Sequence, residues 1–398
     1  MADNISSEHY RAEISMLNRE IARLNKEIQR ASSSHEIKQT RYDPFNNPAE
    51  YAEFRDDYSV ILPQIEEPGY TVPLEPASAE RKKLRRFYSI GAFMILFHFL
   101  FSEFGMRLLI MAVQIAVGTY NKGVDDTLII NYMKSSSIFA GLNLLIFMTV
   151  NVLFGFIGLK MTKTDTVHLV RTYDFSAGKA VEYCICALTL WTASVLFGVF
   201  VSDIFSKYGY DTNVIDLDGV ATSPLGSAIM IIYTCVIAPV TEEFFFRGML
   251  LRVFGRANQR FAVFATAIFF GLSHGNLSQF ILAFIVGVFL AHITLLHGSI
   301  IPSVIVHIFI NTFSTLYQYI ARIHSREILM VLGIAGLGVL LLGILLLLMF
   351  NAKHKLPATT PAQSRRGAAV AFQSIPMLLV AFAETGYILY LIYLNMKK

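Results

Sequence analysis

Two adjacent carboxylates, Glu242 and Glu243, lie within an apolar run that reads Ile237-Ala238-Pro239-Val240-Thr241-Glu242-Glu243-Phe244-Phe245-Phe246-Arg247-Gly248. On a helix Glu243 and Arg247 are i, i+4, one turn apart on one face, where they can form an ion pair. Glu242 points about 100° away and has no partner within its own helix. The spacing divides the labour: Glu243 and Arg247 structural, Glu242 chemical. The bland alternative puts both glutamates at a membrane interface on a helix end. Further along, Phe270 and His274 are i, i+4, and so are His307 and Asn311. A carboxylate and a histidine can hold and deprotonate a water. A histidine and an asparagine can donate hydrogen bonds to a developing oxyanion. Such a set would hydrolyse an acyl bond without a serine or cysteine nucleophile. The same Glu/His/His set could instead hold zinc, but no H-E-x-x-H occurs and an amide is a poor zinc ligand. His292 and His297 read as structural, the latter interfacial beside a Gly turn.

The elements that must position these residues are membrane helices. Of 398 residues 54% are hydrophobic and 16% charged, against about 25% charged in a soluble domain. The charges are uneven: 28 of the 62 fall in residues 1–86. This excludes a soluble enzyme, a disordered protein and a disulfide scaffold. A net charge of +4 with no basic stripe argues against nucleic acid. Cys184, Cys186 and Cys235 sit in apolar segments as small buried hydrophobes. A span needs about 20 apolar residues, and nine stretches qualify: 87–117, 136–159, 180–202, 225–254, 259–274, 278–296, 300–320, 327–350 and 369–395. The fifth is the shortest. Pro239 cannot donate to the helix ladder and should disturb the fourth just before the acidic pair.

Orientation follows from Lys and Arg in the short loops. Clusters at Arg81–Arg86, at Lys160, Lys163 and Arg171, at Arg252, Arg256 and Arg260, and at Lys353–Arg366 fall on one side if there are nine spans. The intervening loop 203–224 is acidic. This puts the N-terminus in the cytoplasm. At about 1.5 Å per residue, Glu242 lies roughly 20 Å from the turn at Gly255–Asn258, His274 roughly 24 Å, and His307 roughly 12 Å from the Gly298 turn. These depths let the three meet in one cavity below the membrane surface.

The organisation expected is an amphipathic or coiled-coil helix over 1–34, a polar linker over 35–86, N-terminal membrane helices over 87–224, a catalytic core over 225–320 and C-terminal membrane helices over 321–398. Tyr10, Ile14, Leu17, Ile21, Leu24 and Ile28 form the seam of the arm. The fold class is all-α: a polytopic membrane bundle of eight or nine spans with a cytoplasmic arm.

Glu242-Glu243-x-x-x-Arg247, Phe270-x-x-x-His274, and Gly298-Ser299-Ile300 leading to His307-x-x-x-Asn311 resemble the three signature motifs of the CPBP family. That family comprises CAAX prenyl endopeptidases and bacteriocin-processing or immunity proteins, a class of glutamic intramembrane protease. The resemblance covers about 225–320. It implies Glu242 as general base, His274 as its helper in positioning the water, and His307 with Asn311 as the oxyanion hole. Glu243, Arg247 and Phe270 would support the site, with no cofactor and zinc as the alternative. The partners implied are the bilayer of a cell membrane and a peptide or lipidated-protein substrate, with a homo-oligomer through the arm as a further option. A catalytically silent immunity or scaffold protein is the second reading. A proton-coupled transporter is the third, since buried Glu and His also build proton relays, although no inverted repeat of broken helices is evident.

Overall fold

The computed structural model describes residues 14–24 and 78–395, apart from 121–124, 126, 129–130, 132–136, 167–168, 173–174, 208, 210–223, 257, 323–325 and 357–364. Contacts divide the chain into two compact units, Met1–Tyr42 and Asp43–Lys398. In the first unit 14–24 is helical, and the seam residues Ile14, Leu17, Ile21 and Leu24 are all exposed. Tyr10, Ile28 and the expected linker up to residue 77 lie outside the described residues.

Among its described residues the second unit is predominantly helical and has no strand. Its elements are α1 (Ser78–Tyr120), α2 (Ser137–Met161), α3 (Ala177–Lys207), α4 (Pro224–Phe254), α5 (Gln259–Leu272), α6 (Leu277–His297), α7 (Ile301–Arg322), α8 (Arg326–Lys353), the single turn α9 (Ala368–Ala371) and α10 (Ile375–Asn395). Helix α1 begins at Ser78, so the basic run Arg81–Arg86 forms its first turns rather than the end of a linker. The last expected span is broken at Phe372–Ser374. There the Ser374 hydroxyl accepts from the Met377 N–H at 3.4 Å, and Pro376 occupies the first turn, a helix start of the ordinary capped kind.

Among the described residues, seven helices are long and apolar enough to cross a membrane: α1, α2, α3, α4, α6, α8 and α10. The bundle is therefore polytopic, but two of the nine expected spans are not in this set. Helix α5 has 14 residues, about 21 Å of rise against a hydrocarbon core of about 30 Å. In α7 the residues Ser303, His307, Asn311, Thr312, Ser314, Thr315 and Gln318 dilute an otherwise apolar run.

Two apolar cores hold the helices together. One is built by α1, α2, the second half of α4, α5 and α10, through side chains such as Ile95, Phe154, Phe246, Phe254, Phe269 and Val380. The other is built by α3, α6, α7 and α8, through Tyr183, Trp191, Phe289, Val306 and Phe350. Helix α6 contributes to both, Ala283 and Ala291 to the first and Val286 and Leu290 to the second. The motif residues gather along this seam.

Candidate active site

Helix α4 is not regular. It runs as α-helix from Pro224 to Ile232, as a π turn over Tyr233–Ile237, as α-helix over Ala238–Glu243 and as π again over Phe244–Leu250. Proline accounts for the first irregularity. In the π turn the Ala238 N–H reaches back five residues to the Tyr233 carbonyl. The next bond in that register would run from residue 239 to the Thr234 carbonyl, and Pro239 has no N–H to give. The vacancy is filled from outside: Asn311 Nδ2 donates to the Thr234 carbonyl at 2.9 Å. The disturbance expected from Pro239 thus takes the form of a π turn, a feature that recurs at functional sites.

Glu243 and Arg247 are fully buried and paired, Nη1 to Oε1 at 2.7 Å. Arg247 Nη2 also donates to the Gly287 carbonyl of α6 at 3.2 Å, and its guanidinium lies 4.4 Å from the centre of the Phe270 ring. Gly287 leaves little room for a side chain here. A Cβ would sit 3.2 Å from Arg247 Nη2 and 3.2 Å from the Phe270 ring. A buried ion pair needs further hydrogen bonds to offset lost hydration, and a carbonyl that approaches this closely supplies one.

The two carboxylates diverge on their own helix but share a neighbour. They meet at a single imidazole brought in by α7. His307 Nδ1 donates to Glu243 Oε1 at 2.9 Å, and His307 Nε2 lies 3.8 Å from Glu242 Oε2. The first is a hydrogen bond and the second is too long for one. Positions off the line between Glu242 Oε2 and His307 Nε2 lie about 2.8 Å from both, the reach of one water. Helix geometry alone misses this because the third group comes from a helix distant in sequence. Glu243 is thereby both the counter-ion of Arg247 and the group that orients His307. Glu242 keeps 21% of its side chain accessible.

His274 follows the end of α5. Two asparagines frame that region: Asn258 caps α5 by accepting from the Phe261 N–H, and Asn276 caps α6 by accepting from the Gln279 N–H, both at 2.8 Å. Between them α5 is too short to cross the apolar thickness, which would leave the turn Ser273–Asn276 at membrane depth. Irregular backbone is tolerated there only when buried in protein or lining a cavity. Gly275, at φ +71°, turns the chain immediately after His274. His274 Nδ1 donates to the Phe270 carbonyl at 2.8 Å, which leaves Nε2 as its outward nitrogen. The Phe270 ring stands edge-on to both His274 and His307, with centroids 5.0 and 5.6 Å away. It acts as the spacer between them and the roof over Arg247.

His292 and His297 lie elsewhere. His292 packs on Phe350, and His297 shares a 2.9 Å hydrogen bond with the Tyr183 hydroxyl. His297 is buried against Phe175 and Tyr183. The three cysteines are free thiols, Cys186 and Cys235 buried and Cys184 partly so. Among the described residues no group of three or more His, Cys, Asp or Glu converges as a metal site. Sequence reading passed over His98 and Asn151. Both are buried polar residues inside expected spans, a signal in itself, but neither has an i, i+4 partner to draw attention to it.

A polytopic helical membrane bundle that brings two carboxylates and an imidazole together is the class of protein that the fold and site define. Residues 224–313 match the family described as type II CAAX prenyl endopeptidase Rce1-like. The matched stretch runs from the start of α4 into α7 and contains Glu242, Glu243, Arg247, Phe270, His274, His307 and Asn311. The matched domain agrees with the CAAX protease family that the motifs resemble. No curated protein and no solved structure matches the chain.

Proposed function

We propose that the protein is an intramembrane endopeptidase that hydrolyses a peptide bond of a prenylated, CAAX-type substrate, with Glu242 as general base. The observation that carries this reading is the arrangement around Glu242. One carboxylate is partly accessible, it faces the Nε2 of an imidazole whose other nitrogen is held by a buried carboxylate, and a second imidazole has its Nδ1 equally tied.

Glu242 takes a proton from a water held between its carboxylate and His274 Nε2, and the oxygen attacks the scissile carbonyl carbon. The oxyanion needs donors. His307, with its Nδ1–H held by Glu243, presents Nε2 beside Glu242 and donates from it when both ring nitrogens carry a proton. Asn311 spends one N–H on Thr234 and has a second for the oxyanion. Collapse of the tetrahedral intermediate breaks the C–N bond, and Glu242 returns its proton to the leaving amine. The basic helix ends face the cytoplasm, with the N-terminus inside, and the substrate's lipid approaches from the bilayer. No zinc is required: Glu243 is committed to Arg247 and His307, and His274 Nδ1 to a carbonyl.

The test is purified protein in lipid vesicles with a farnesylated peptide ending in a CAAX tetrad, following release of the terminal tripeptide. Wild type should cleave. Glu242→Gln should lose about 10²–10⁴-fold in kcat while folding normally, and a strong chelator should leave the wild-type rate unchanged. Cleavage by Glu242→Gln at the wild-type rate refutes the base assignment. Stoichiometric zinc, with activity lost on chelation and restored by zinc alone, refutes the metal-free mechanism. A fully folded wild type inert on prenylated peptides refutes the substrate class.

A further inference from the structure

A buried chain of hydrogen bonds ends one residue before Glu242, and none of its members belongs to the three motifs. His98 Nε2 of α1 lies 2.8 Å from Asn151 Oδ1 of α2, and Asn151 Nδ2 donates to Thr241 Oγ1 of α4 at 3.1 Å. Thr241 Oγ1 in turn lies 3.0 Å from the Ile237 carbonyl and 3.2 Å from that of Ala238. All three side chains are buried, the most exposed at 7%. His98 stacks on Phe245 at 4.8 Å and meets Phe246 edge-on at 5.9 Å.

The sense of the chain is fixed. The Thr241 hydroxyl hydrogen goes to a backbone carbonyl, because carbonyls only accept. Its oxygen therefore accepts from Asn151 Nδ2. The Asn151 carbonyl oxygen then faces His98 and receives Nε2–H. The reversed sense would take the hydroxyl away from Ile237 and Ala238 and strand an N–H on His98 Nδ1. In the assigned sense that atom is a bare acceptor with no hydrogen-bond partner. A protonated ring would bury an unpartnered charge, which is far more costly than an unpartnered neutral nitrogen. His98 is thus a neutral donor locked in one tautomer, not a proton carrier.

The place where the chain ends gives it a purpose. The stretch Tyr233–Glu243 of α4 lacks one internal hydrogen bond, at the Thr234 carbonyl, because Pro239 donates none. It is held by side chains from other helices, Asn311 of α7 at Thr234 and Asn151 of α2 at Thr241. The second tie is adjacent to Glu242. We infer that His98 and Asn151 are positioning residues, whose chain through Thr241 sets the placement of the Glu242 carboxylate against His307. This inference rests on the proposed hydrolysis only in what the placement is for; the placement itself is separately measurable.

The test compares His98→Phe, which keeps the stacked ring and removes the donor, with His98→Gln, which keeps a side-chain N–H, and with Asn151→Leu. In the vesicle assay His98→Phe and Asn151→Leu should each lower kcat about 10-fold or more, since a misplacement of about 1 Å costs up to about 10²-fold, with KM within about twofold. The double variant should be no worse than the poorer single, because both cut one chain. His98→Gln should recover most of the loss. Independently of turnover, the rate at which dicyclohexylcarbodiimide labels Glu242, read by peptide mass, should change about threefold or more in His98→Phe and Asn151→Leu and much less in His98→Gln. If the wild type cleaves nothing, the proposed function fails and the labelling rates still decide the positioning role. Unchanged labelling in folded His98→Phe and Asn151→Leu overturns the inference. So does a loss of thermal stability with kcat per folded molecule intact.

Discussion

The second half of α4 and helix α8 are both apolar helices in one bundle, yet they use apolarity in opposite ways. From Phe245 to Phe254 every residue of α4 is buried. In α8 the side chains of Leu337, Leu341, Leu345 and Leu348 are all more than half exposed, and between Glu327 and Lys353 there is no charged residue. Helix α8 packs Phe350 into the second core and turns most of its other apolar side chains outward. Helix α4 carries two carboxylates and two guanidinium groups and is therefore enclosed by partners: the Asp165 carbonyl, Gly287 of α6, His307 and Asn311 of α7, and Asn151 of α2. Without water every polar group must be satisfied from within the protein. The density of packing around a membrane helix thus follows what it has to solvate.

Substitutions should separate the two helices in order of size. Arg247→Ala or Glu243→Ala leaves a fully buried charge unmatched, which costs about 3–5 kcal/mol. Yield of folded protein and its thermal unfolding in detergent should report it. Replacing both by leucine should cost less than the sum of the two singles. Additive losses would show that the pair is not one unit.

Asn311→Ala should cost on the order of 10²–10³-fold in kcat, the loss seen when one oxyanion donor is removed. It also strands the Thr234 carbonyl, at about 1–3 kcal/mol of stability. The two roles can be separated, because Pro239→Ala restores the missing backbone N–H. The Asn311→Ala, Pro239→Ala double variant should regain thermal stability but not turnover. Recovery of both would reduce Asn311 to a substitute for the proline N–H.

Gly287→Ala forces a methyl group to within 3.2 Å of Arg247 Nη2 and the Phe270 ring. Overpacking of this kind costs about 1–3 kcal/mol, and a drop in thermal stability should accompany the loss of rate. At the bottom of the scale, Leu341→Ala in α8 should leave kcat and KM within error, since that side chain is 71% exposed and supports no buried polar group. A large effect there would mean that α8 is covered by protein rather than lipid.

The sequence by itself determined the class of fold and pointed to the candidate site residues. Apolar runs of membrane length, charges confined to their ends, and ionisable residues at i, i+4 spacing inside those runs are local properties of a helix, and the family match falls on the same stretch. Only the tertiary structure decided how the members are used. His307 stands between the two glutamates because α7 packs against α4, sixty-four residues away in sequence. Asn311 completes a backbone bond that Pro239 cannot make, and that need becomes visible only once the turn at Tyr233–Ile237 is known to be π rather than α. His98 and Asn151 stay anonymous in the sequence because the partner of each comes from another helix. Helical periodicity reports which residues share a face. It carries no information about which faces meet, and in an interior without water the identity of the facing group sets the role of every polar side chain.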